Sequence, residues 1–71
     1  MKNEILIRFG NKVRDERTKL GISQEELAER AGVHRTYIGM IERGEKNITL
    51  ENIDKICKAL GLNIRDFFSG F

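Results

Sequence analysis

The chain has no proline, so glycine must punctuate its 71 residues, and Gly21, Gly32, Gly44 and Gly61 fall where helical periodicity breaks. Cysteine is reduced to Cys57 alone. That excludes an internal disulfide, and with no histidine cluster beside it the thiol offers no zinc spacing. No apolar run approaches the ~18 residues of a membrane-spanning helix, and no signal-peptide pattern opens the chain. A cytoplasmic protein without a membrane partner is the expectation. Internal repeats, low-complexity tracts and linker-like stretches are also missing, which predicts one domain over residues 1–71. Nor is there a surplus of one charge: thirteen Lys and Arg against eleven Asp and Glu leave +2, so net charge alone announces no nucleic acid. There is no catalytic constellation, glycine-rich phosphate loop or metal set, and little room for a pocket. No enzyme, cofactor or metal is therefore expected. A chain this short buries only about 60% of its unfolded surface, so burial against a partner would help it.

What is present is helical periodicity. Asn3 to Leu20 carries Leu6, Phe9, Val13 and Leu20 at helical spacing, a first helix of about four turns ended by Gly21. Its cations, Lys2, Arg8, Lys12, Arg14 and Lys19, are mostly solvated, with Arg14 the best placed to touch a phosphate. Ile22 precedes Ser23 as a hydrophobic contact, and Ser23 with Glu26 forms an S-x-x-E capping box. Leu27, Ala28 and Ala31 then face inward against Glu25, Glu26, Glu29 and Arg30, until Gly32 stops the helix. A further helix begins near His34 or Arg35 and ends at Gly44. Thr49 caps a fourth, with Leu50, Ile53, Ile56, Cys57 and Leu60 on its core face, and Gly61 ends it. Asn63 caps a short fifth. The fold class is all-α: a compact five-helix bundle.

The segment 23–44 gives helix, tight turn with glycine, helix, the arrangement whose second helix enters the DNA major groove. At about 100° per residue, Ile38, Ile41 and Glu42 share a packed side, while Arg35, Thr36, Gly39, Met40 and Arg43 share the other. Arg35 is the foremost candidate for base reading, since a guanidinium bonds O6 and N7 of guanine in one plane. Thr36 offers a hydroxyl and a methyl. Met40 is either an outward contact or a core gap-filler. Gly39 either lets DNA approach the backbone or is simply tolerated at about 1 kcal/mol relative to alanine. Tyr37, Arg43, Lys46 and Asn47 are candidates to hold phosphate, positioning rather than specifying. His34 has no nucleophile, metal partner or carboxylate at useful spacing, and reads as a turn or cap residue.

The string Q-E-E-L-A-x-x-A-G-V with Y-I-x-x-I-E-R-G resembles the Xre family, the phage repressor and Cro type of helix-turn-helix, and the likeness runs from about Phe9 to Phe68. The longer RTYIGMIERGEKNITLENI is similar to the small controller proteins of restriction-modification systems. The resemblance implies a lambda-repressor-like DNA-binding domain. It also implies that Gln24 holds a DNA phosphate and that Arg17 pairs with Glu42 in a partly buried structural ion pair.

The ending DFFSGF gathers three of the four phenylalanines. Phe67 completes the core, leaving Ile64, Phe68 and Phe71 as a candidate dimer patch within a dimerisation region of about 60–71, unless all are core or frayed tail. The expected function is a sequence-specific regulator binding a palindromic operator on double-stranded DNA as a homodimer, with RNA polymerase a further possible partner. Alternatives are a phage-type repressor, an antitoxin-like regulator, or a helical interaction module without its own operator.

Overall fold

The computed structural model describes residues 3–71; Lys2, read as a solvated charge, lies outside them. Five helices follow in order: α1 (Glu4–Lys19), α2 (Gln24–Ala31), α3 (Arg35–Glu42), α4 (Leu50–Ala59) and α5 (Ile64–Phe67). Each start is fixed by a side chain taking up a free backbone N–H of the first turn. Asn3 Oδ1 accepts from Ile5 N at 3.0 Å, Ser23 Oγ from Glu26 N at 3.0 Å and His34 Nδ1 from Thr36 N at 3.1 Å. Thr49 Oγ1 accepts from Asn52 N at 3.1 Å, and Asn63 Oδ1 from Asp66 N at 2.7 Å. Only half of the capping box at Ser23 forms. The Glu26 carboxylate turns outward to Arg30 at 2.7 Å, a partner one helical turn away whose charge outcompetes a neutral amide.

The helices close on one apolar cluster: Phe9 and Val13 of α1, Leu27, Ala28 and Ala31 of α2, Ile38 and Ile41 of α3, Ile56, Cys57 and Leu60 at α4, and Phe67 of α5. α2 and α3 pack on each other, α1 lies across α3, and α4 covers α2 while carrying α5. Three residues of the expected apolar stripes do not join the cluster: Leu6, which is half-buried outside it, Leu20 and Leu50. Leu20 is 49% exposed and Leu50 74% exposed. Leu20 is the C-terminal cap residue of α1 and Leu50 the first residue of α4, so each keeps the right angular position but lies at an end no neighbour covers.

Two glycines set how closely α1 can approach α3. A Cβ at Gly10, buried in the middle of α1, would stand 2.2 Å from the Ile41 carbonyl oxygen and 2.9 Å from that of Glu42. Backbone therefore lies against backbone there. Gly44, just past α3, has φ of +72°, and a Cβ on it would meet Ile7 at 2.8 Å. The end of α3 is thus seated on α1, which fixes the direction in which its outer face points.

Candidate nucleic-acid interface

α3 is aimed by a polar network beneath it. Glu42, at its last position, is 4% exposed, the one buried charged residue among those described. Its Oε2 accepts from Arg17 Nε at 2.7 Å, and its Oε1 accepts from both Arg17 Nη2 at 3.0 Å and Gln24 Nε2 at 2.9 Å. Arg17 also donates Nη1 to the Ile22 carbonyl at 2.9 Å. One carboxylate thus receives three N–H bonds from α1 and α2. The bidentate bond to Glu42 raises the Arg17 guanidinium above its ordinary range against the opposing effect of burial, and the charge of Glu42 adds to the rise. The structure places Arg17 and Glu42 together as the resemblance implies. Gln24, expected at a phosphate, is half-buried and gives its side-chain amide hydrogen to Glu42, while its place at the start of α2 puts the free backbone amides of that helix beside it.

On the opposite side of α3, Arg35 and Thr36 are exposed, Arg43 is 56% exposed, and Met40 is half-buried but outside the core cluster. Helical spacing puts these four residues on one side of α3, as a strip. Gly39 is not part of it. It is buried, and a Cβ there would lie 3.1 Å from Arg43 Nη1 and 3.7 Å from Gln24 Oε1, so those two side chains lie over the backbone at that point. The open strip is accordingly narrower than a wheel of α3 alone predicts. The Arg35 Nη1 atom donates to Glu25 Oε2 at 3.2 Å, and Arg43 forms an ion pair with Glu45, with Nε 3.1 Å from Oε1.

Tyr37 sits at the border, its ring against the core and its hydroxyl accepting from Asn52 Nδ2 at 2.9 Å. That bond links α3 to α4 and leaves the phenolic hydrogen available to an acceptor. Lys46 and Asn47 are exposed just past α3. Arg14 is exposed on α1 and bonds Asn11 Oδ1 at 2.8 Å, with no bond to the other candidate residues.

The aromatic end is divided. Phe67 is fully buried, with its ring centroid 5.4 Å from that of Phe9. Phe68 and Phe71 are half-buried, 5.0 Å apart edge to face, and border an apolar cleft of about 210 Å³ with Ile5, Phe9 and Ile53. Ile64 is also half-buried, packs against the core and stays out of that cleft. Arg8 donates to the Phe71 carbonyl oxygen and places its guanidinium carbon 4.6 Å above the Phe71 ring, tying the end of the chain to α1. Ile5, Glu25 and Asn52 are the neighbours that sequence reasoning missed. Only Ile5 had a signal, an apolar side chain outside the α1 stripe. Among the described residues no helix is long and apolar enough to cross a membrane, and no group of three or more His, Cys, Asp or Glu is placed to hold a metal.

A helix-turn-helix family model matches residues 13–67. The control protein C.BamHI of Bacillus amyloliquefaciens is 52% identical over 67 residues, which span 93% of this chain and 83% of that protein. The crystal structure of the restriction-modification controller protein C.AhdI from Aeromonas hydrophila superposes with a TM-score of 0.89 at 42% identity, covering 93% of this chain and 100% of that one. The controller protein C.Esp1396I, solved as a tetramer in complex with its natural 35 base-pair operator, superposes with a TM-score of 0.92 at 30% identity over 97% of this chain and 91% of that one.

Proposed function

This chain belongs to the helix-turn-helix family, in its restriction-modification controller branch, and from that premise we propose that it regulates transcription by binding a palindromic operator as a homodimer. The carrying observation is the strip Arg35, Thr36, Met40 and Arg43, turned to solvent on a helix whose other side is locked by Arg17, Glu42 and Gln24. A locked back and an open front are what base reading needs, because a side chain must meet base edges within a few tenths of an ångström.

In this reading α3 lies in the major groove. Arg35 takes O6 and N7 of a guanine, with Thr36 and Met40 beside it and Gly39 beneath the side chains rather than against DNA. Arg43, Lys46, Asn47, the Tyr37 hydroxyl and the amides at Gln24 hold phosphates, with Arg14 an outlying contributor. Residues 1–71 act as one domain in the cytoplasm, without catalysis, metal or cofactor. The cleft beside Phe68 and Phe71, with Ile64 at its margin, receives the second subunit. Regulation of the neighbouring nuclease and methyltransferase genes then depends on where the operator lies relative to a promoter, through contact with RNA polymerase or obstruction of it.

The test separates reading from holding. Arg35→Ala should reduce discrimination at one base pair of each half-site, by an amount corresponding to about 1–3 kcal/mol. Arg43→Ala should weaken all duplexes alike and flatten the dependence of affinity on salt. Unchanged preference and affinity in both variants would exclude α3 as the reading element.

A further inference from the structure

Glu25, in the first turn of α2, and Arg35, at the start of α3, are joined across the turn of the motif: Arg35 Nη1 donates to Glu25 Oε2 at 3.2 Å. Both side chains stand largely in water, 66% exposed for Arg35 and 71% for Glu25, so their pair contributes little to folding. Its position demands another explanation. A surface that must lie against phosphates repels a carboxylate, yet one stands at the head of the strip, bonded to the residue assigned to read a base. The bond is also selective in geometry. A guanidinium carries five N–H donors, and a contact through Nη1 leaves the Nε and Nη2 edge unoccupied. Arg17 presents that same edge to the two oxygens of Glu42. On Arg35 it is free for the two acceptors of guanine.

Building on the DNA-reading role proposed above, we infer that Glu25 is a positioning and specificity-determining residue. It holds the Arg35 guanidinium so that the Nε and Nη2 edge faces O6 and N7 of a guanine, and it offsets the charge that would otherwise draw Arg35 to any phosphate. The carboxylate sits in the first turn of α2, where the helix dipole favours a negative charge. Without Glu25, Arg35 keeps its charge but loses its orientation. Affinity for any duplex rises while the preference for guanine falls.

The experiment uses the duplex that the wild-type protein recovers from a random pool, that duplex with each base pair singly replaced, and random-sequence duplex. Affinities are measured at one salt concentration for wild type, Glu25→Gln, Arg35→Ala and the double variant, with unfolding midpoints checked against wild type. Glu25→Gln is expected to bind random duplex more tightly and to narrow the preference for one guanine pair by about tenfold, within what a bidentate guanine contact contributes. In the Arg35→Ala background the same change should leave base preference untouched, since nothing remains to be positioned. Two results overturn the inference: a uniform rise in affinity with preference intact, or an equal loss of preference in both backgrounds, which would make Glu25 itself a base contact. A wild-type protein with no preference among the single replacements overturns the DNA-reading proposal as well, and so is told apart from a failure of Glu25 alone.

Discussion

At the scale of single residues, the energies are concentrated where charge is buried. The Glu42 side chain is 2% exposed and that of Arg17 13%, so removing the arginine leaves a carboxylate in the interior with only Gln24 to bond it. Arg17→Met should destabilise the fold by about 3–5 kcal/mol, whereas Arg17→Met with Glu42→Leu should be far less damaging than the two single changes summed. Denaturant unfolding of the three variants measures this, and strict additivity would show that the pair is not coupled. Cys57 gives the pH-dependent counterpart. Burial, and then the charge of Asp54, push its thiol up to about 11 from an ordinary value of 9.0. A group raised in the folded state contributes its full stability below the unfolded pKa and loses it as pH rises through the folded one. Between pH 9.0 and about 11 the unfolded chain therefore releases the proton first, and wild type loses stability relative to a variant without the thiol. The penalty of Cys57→Ala should shrink by about 1.4 kcal/mol between pH 7 and pH 10. A penalty constant across that range would place the thiol in a wetter setting.

Among the helices, the angle of α3 on α1 matters most, and Gly10 permits it. In an exposed helix, replacing glycine with alanine stabilises by about 1 kcal/mol. At Gly10 the added methyl would lie 2.2 Å from the Ile41 carbonyl, so Gly10→Ala should instead destabilise by about 1–3 kcal/mol and weaken operator binding by shifting α3. A raised unfolding temperature would show that the crossing is looser than this. Helix limits were legible in the sequence because they rest on local chemistry: Ser23, Thr49 and Asn63 accept the bonds expected of caps, and Gly21, Gly32, Gly44 and Gly61 all stand at positive φ. What crosses between helices was less legible. Gly39 falls on the outer side of an isolated wheel, but Gln24 and Arg43 fold over it. The bond between Glu25 and Arg35 spans a turn and leaves no periodic trace. Leu20 and Leu50 show the converse, since periodicity gives an angle and not whether anything covers it.

For the whole molecule, the proposed regulator meets DNA with the outward strip on α3 and a second copy of the chain with the apolar cleft at Phe68 and Phe71. Two copies related by a two-fold axis would present their Arg35 helices to successive major grooves on one side of a duplex. Palindromy of the site and pairing of the subunits are then one geometric statement. The most direct measurement is selection of bound sequences from a random duplex pool, followed by footprinting of the winners. An inverted repeat should emerge, with a guanine in each half-site and half-site centres one helical turn, ~34 Å, apart or a multiple of it. A pool that stays unpatterned, or that yields a lone half-site, would contradict a paired reader built on α3.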